Sequence, residues 1–137
     1  MVKAHGKHIY LDYIGYQHDG HNDGRQMLNI MLDSVASANV RPVHSHFEEF
    51  DGVLSPPGFA AVVLLDESHI TAHCYYDKGW LAFDAFTCGS GDPGKIADHI
   101  EKSLRDKMPD LYQMRREEVG RFLYNDIEEA DLELDEN

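Results

Sequence analysis

The sequence predicts an α+β fold, a two-layer sandwich built on one mostly antiparallel sheet with helices on one face. Three observations predict it. Most of the apolar runs are short, rich in β-branched and aromatic residues, and bounded by turn-forming clusters. Just two stretches repeat their apolar residues at helical spacing. The chain has 137 residues, 42% of them hydrophobic, which suits one domain with one buried core.

Lys7 to Tyr16 (KHIYLDYIGY) reads as the first strand, and the polar QHDGHNDG after it as a loop. From Asn22 onward, Met27, Leu28, Ile30, Met31, Leu32 and Val35 recur at helical spacing. This predicts a helix ending near Asn39, with Asn22 or Asp23 as its cap. Val40 to Phe50 is a second strand whose alternation is weakened by histidines. DGVLSPPG interrupts the chain before FAAVVLLD, a continuous apolar run suited to a buried strand. Ser68 to Tyr75 and Gly79 to Cys88 flank the turn-forming YDKG and predict a hairpin. Asp92 caps a second helix with Pro93 in its first position. Ile96, Ala97, Ile100 and Leu104 form its core stripe, and Pro109 lies beyond its end. Leu111 to Tyr124 is the last strand. Residues 1–125 are thus read as one domain, and 126–137 as a solvated acidic tail.

Charge narrows the function. The formal net charge is -13, and seven acids between Asp126 and Glu136 supply about half of it. With no segregated basic patch, a nucleic-acid or anionic-membrane partner is not expected. The N-terminus lacks the apolar core of an export signal, and no run approaches the roughly 18 apolar residues of a membrane span, so a cytoplasmic location is expected. In that setting Cys74 and Cys88 are read as free thiols. There is no zinc-type cysteine spacing, P-loop, glycine-rich dinucleotide turn or internal repeat. The nine histidines share no ligand spacing, and each is read as packed or exposed rather than metal-binding.

The segment that carries chemistry is DESHITAHCYYDKGWLAFDAFTCGS, Asp66 to Ser90. It puts Glu67-Ser68, His73 and Cys88 on strand-like runs around one hairpin. Because antiparallel strands return the chain to where it started, all three side chains are expected to converge near the open end of that hairpin. Taken singly, the serine would satisfy a turn, the histidine would pack, and the cysteine would be a small buried thiol.

Together they carry a resemblance. ESHIT, a histidine five residues after the serine, and FTCG beginning at Phe86 resemble the small prokaryotic S-adenosylmethionine decarboxylases, as does the opening GKHIYLDY. The resemblance implies that the chain cuts itself between Glu67 and Ser68. Ser68 would become a pyruvoyl cofactor that holds the substrate amine in a Schiff base, with no metal required. It implies that His73 serves in processing, that Cys88 is the proton donor, and that Phe50, Tyr75 and Asp77 bind substrate. It further implies a homodimer with each pocket drawing on both protomers, and a product that feeds spermidine synthesis.

Several residues depart from the family pattern. The family's His-x-Trp-Pro-Glu reads His73-Cys74-Tyr75-Tyr76-Asp77 here. Ala60-Ala61 stand where the family has a processing serine, with Ser55 in the preceding loop as the replacement hydroxyl. Glu48, Glu49 and Asp51 surround Phe50. If those acids face the pocket, they favour a basic amino acid, arginine or ornithine, as the substrate. An uncut regulatory paralogue and a non-enzymatic ligand-binding module are the readings from other classes.

Overall fold

The computed structural model describes residues 4–88 and 91–123. Within them lie β1 (Ala4–Ile14), α1 (Asp23–Ser37), β2 (Pro42–Phe50), β3 (Gly58–Leu65), β4 (His69–Tyr75), β5 (Trp80–Cys88), α2 (Pro93–Lys107) and β6 (Tyr112–Leu123). The strands form one sheet in the order β2-β3-β4-β5-β1-β6, and every neighbouring pair is antiparallel. This is the α+β sandwich expected.

The sheet is two-faced because side chains alternate along each strand. Ile9, Leu11 and Tyr13 of β1 are buried on one face with Phe59, Ala61 and Val63 of β3. Ile70, Ala72 and Cys74 of β4 and Leu81, Phe83 and Ala85 of β5 join them. Met27, Leu28, Met31 and Val35 of α1 and Ile96, Ala97, Ile100 and Leu104 of α2 cover that face. Burial of each large apolar side chain contributes about 1.5–3 kcal/mol. The opposite face carries His8, Tyr10, Asp84, Phe86, His69, His73 and Tyr75 and is covered by no helix among the described residues.

Two boundaries differ from expectation for local reasons. β1 stops at Ile14 because Gly15 turns the chain with φ +83°, after which the Tyr16 amide donates to the Gly79 carbonyl at 3.0 Å. At α1, Asn22 sits in the left-handed region and makes no side-chain cap. Its place is taken by Glu49 of β2, whose Oε1 accepts the Gly24 amide at 2.6 Å. The α2 terminus follows expectation, with Asp92 Oδ1 accepting from Gly94 at 2.9 Å and Pro93 in the first position.

Gly58, at the start of β3, is held by crowding. A Cβ there would lie 1.9 Å from the Cys74 carbonyl oxygen. No helix among the described residues is long and apolar enough to cross a membrane. The acidic tail from Asp126 lies outside the described residues.

Candidate active site

Leu65 and Ser68 bracket the tight β3–β4 turn, with the Leu65 amide donating to the Ser68 carbonyl at 2.8 Å. The Ser68 hydroxyl oxygen accepts the Cys88 amide at 3.1 Å, across from the adjoining end of β5. Ser68 and Cys88 are therefore brought together, as the hairpin predicts. Both line a cleft of about 480 Å³ with Val40, Leu65 and Thr87. Gly6 of β1 lies beside Cys88, where any Cβ would come within 3.2 Å of the thiol sulfur. The other thiol, Cys74, is sealed on the helix-covered face, and burial pushes it up to about 12. Cys88 is the accessible thiol of the pair.

His73 does not join them. It pairs with Ala82 of β5 and Ala60 of β3 in mid-strand. Five extended residues separate it from Ser68, roughly 16 Å at the strand rise of about 3.3 Å per residue. The expectation that all three side chains meet within one chain is corrected by this register. An antiparallel hairpin returns the chain to its starting end, but it carries each strand residue away from that end by its own rise.

His73 has its own neighbours. It lines a smaller cleft of about 250 Å³ with Phe50, Ser55 and Tyr75, so the two aromatic candidates and this histidine are assembled in one place. Ser55 arrives there from the β2–β3 loop, whereas Ala60 stands directly opposite His73 and brings no hydroxyl. Asp77 lies in the exposed β4–β5 turn, two residues past Tyr75, and does not line this cleft.

The acids around Phe50 are already engaged. Glu49 points to the helix side, where it accepts the Tyr76 hydroxyl at 2.7 Å as well as the Gly24 amide. Asp51 accepts the Val53 amide at 2.9 Å, and Glu48 Oε1 lies 2.8 Å from His46 Nε2. The residues that favoured a basic substrate are thus committed to other contacts.

Sequence reasoning missed two features beside Ser68. One is Gly6, whose need for close approach to Cys88 is a tertiary fact without a local signature. The other is Arg41, just before β2, which reaches Asp66 just after β3. Its Nη2 lies 2.5 Å from Oδ1 and its Nε 3.3 Å from Oδ2, and this contact lowers the Asp66 carboxyl below its ordinary range. These residues lie 25 apart in sequence, and although Asp66 opens the segment that carries the chemistry, nothing local marks Arg41 as its partner.

Residues 7–117 match the S-adenosylmethionine decarboxylase family model. A proenzyme of that name from Symbiobacterium thermophilum is 30% identical over 114 residues, covering 82% of this chain and 83% of its own. One from a Sulfurihydrogenibium species is 32% identical over 111 residues, 80% of each chain. The crystal structure of the adenosylmethionine decarboxylase from Aquifex aeolicus superposes with a TM-score of 0.69 at 28% identity, covering 88% of this chain and 92% of that one. With the family match spanning most of the sheet and both helices, this chain belongs to the S-adenosylmethionine decarboxylases.

Proposed function

We propose that this chain is a self-processing decarboxylase of S-adenosylmethionine that makes its pyruvoyl group from Ser68 and completes its active site across a two-fold dimer. The single observation that carries the processing site is the 3.1 Å hydrogen bond from the Cys88 amide to the Ser68 hydroxyl oxygen, beside the Glu67-Ser68 bond. That donor holds the nucleophile and favours negative charge developing on it.

Ser68 Oγ attacks the Glu67 carbonyl carbon. The Glu67–Ser68 C–N bond breaks as the ester C–O bond forms, and the proton given up by the Ser68 hydroxyl passes to the nitrogen, which becomes a free amine. Loss of the Ser68 α-proton to a base then expels the Glu67 carboxylate. Water replaces the nitrogen, which leaves as ammonia, so the downstream chain begins with a pyruvoyl group. His73 is assigned the base role because imidazole exchanges protons near neutral pH. The pyruvoyl carbonyl then supplies the electron sink for loss of carbon dioxide from an α-amino acid derivative. Cys88 is the proton donor to the α-carbon, since its thiol shares the Ser68 cleft and stays accessible. Phe50 and Tyr75 offer ring faces to the adenine, and Asp77 is assigned to the ribose hydroxyls.

The His73 assignment requires a second copy of the chain. With about 16 Å of strand between His73 and its own Ser68, the histidine that serves one Ser68 comes from the partner. The sheet face bearing His73 also exposes Leu64, Tyr75 and Trp80, at 45%, 43% and 50%. Apolar exposure of that kind on a helix-free face suits sheet-on-sheet packing about a two-fold axis. Ser55 supplies the hydroxyl that Ala60 cannot bring to His73.

Intact mass tests the core of this reading. The expected result is an N-terminal fragment ending at Glu67 and a C-terminal fragment blocked by pyruvoyl, with carbon dioxide released from S-adenosylmethionine. A single uncut chain after prolonged incubation would overturn it.

A further inference from the structure

Resting on the Ser68 processing proposed above, we infer that Arg41 is a positioning residue for self-cleavage, holding the acyl side of the Glu67-Ser68 bond through Asp66. The turn that contains this bond has unequal supports. On the serine side, the Leu65 amide holds the Ser68 carbonyl and the Cys88 amide holds its hydroxyl oxygen. On the acyl side, no hydrogen bond holds Glu67 itself among the described residues, and Asp66 is tied down by Arg41 alone.

The geometry of that tie suits the task. Pro42 pairs with Leu65 at the end of the β2–β3 ladder, so Arg41 and Asp66 stand opposite one another one residue beyond it. Their two parallel nitrogen–oxygen contacts continue the ladder through side chains. A two-point guanidinium–carboxylate contact fixes orientation as well as distance, which a single point charge does not. Both partners are exposed, with side-chain exposures of 75% and 55%, so the pair adds little to global stability. Its effect is local. Attack by Ser68 Oγ requires the Glu67 carbonyl carbon to be held within about 3–3.5 Å and in line, where a displacement of 1 Å costs up to about a hundredfold in rate. Asp66 is the residue immediately before that carbonyl.

The test follows cleavage of the full-length chain in time after cell-free synthesis, by mass, for the wild type, Arg41→Met, Asp66→Asn and the charge swap Arg41→Asp with Asp66→Arg. Each single variant is expected to slow cleavage roughly tenfold, and the swap to restore most of the rate. Because the pair is exposed, raising the salt from about 0.05 M to about 1 M slows the wild type but leaves Arg41→Met unchanged. Circular dichroism confirms that each variant is folded, and Arg41→Lys, which keeps the charge without the fork, falls between wild type and Arg41→Met. Wild-type cleavage rates in Arg41→Met, or slow singles that the swap fails to rescue, overturn the role of the pair while leaving Ser68 processing intact. A wild-type chain that never cuts overturns the processing assignment, and this inference with it.

Discussion

Glu49 accepts the Gly24 amide with one oxygen and the Tyr76 hydroxyl with the other, so one carboxylate joins β2, α1 and the β4–β5 turn. Glu49→Ala strips the helix of its cap and leaves two donors without their partner. Denaturant unfolding is expected to show a loss of about 1–3 kcal/mol. At the same scale the two thiols separate by environment. Burial keeps Cys74 protonated at neutral pH, whereas Cys88 borders the open cleft. Brief treatment with iodoacetamide near pH 8 should label Cys88 alone, as read by peptide mass. Comparable labelling of Cys74 would contradict the burial argument. In a cleaved enzyme, Cys88→Ala should still carry pyruvoyl but turn over about a hundredfold or more slowly, which steady-state kinetics will report. The residues proposed to act were legible because Ser68, His73 and Cys88 form a spaced motif. Glu49 was not, since its cap is contributed from 25 residues away, and nothing local separates it from a solvated acid.

Among the elements, the strands were easiest to read, since alternation and turn clusters are local signals, and eleven of the twelve strand ends fell within two residues of those observed. The start of β1 lay further off, because Ala4 to Gly6 earn their strand geometry from pairing with β5 and β6 rather than from propensity. Register was the harder property. The distance from Ser68 to His73 follows from their five-residue spacing and the strand rise, but which residues flank each of them, Ala60 and Ala82 at His73 and Cys88 at Ser68, is set by the pairing of three strands. Gly58 shows the same dependence on neighbours. Placing a methyl group 1.9 Å from the Cys74 carbonyl forces β3 and β4 apart where Phe50, His73 and Tyr75 gather. Gly58→Ala is expected to cost about 1–3 kcal/mol and to raise KM more than it lowers kcat. Thermal unfolding and kinetics measured together check both.

For the whole molecule, the proposed dimer makes a prediction that a self-contained site does not. When Ser68→Ala and His73→Ala chains are co-expressed, a mixed dimer combines the intact Ser68 of one with the intact His73 of the other. The His73→Ala chains should then be cut, though they are cut poorly alone, and mass spectrometry distinguishes the two. Absence of rescue would return the histidine to its own chain. Alkaline stability is a second global property. Burial, and then hydrogen bonds to Glu101, Asp23 and Glu49, raise Tyr13, Tyr16 and Tyr76 above the ordinary value of 10.0. Above about pH 10 the unfolded chain releases protons that the folded chain retains. The stability from these groups is therefore complete below that pH and lost above it. The urea midpoint should fall as the pH rises past 10, and less steeply in Tyr16→Phe.

The strand order has a further consequence for a chain severed after Glu67. β1, β2 and β3 would belong to one polypeptide and β4, β5 and β6 to the other, yet β1 lies between β5 and β6. The two pieces are interleaved like the fingers of clasped hands. Pulling them apart means unzipping the β3–β4, β5–β1 and β1–β6 ladders together. Backbone scission thus alters covalent connectivity without changing which strand sits beside which, and the mature enzyme should behave in a sizing column as though it had never been cut.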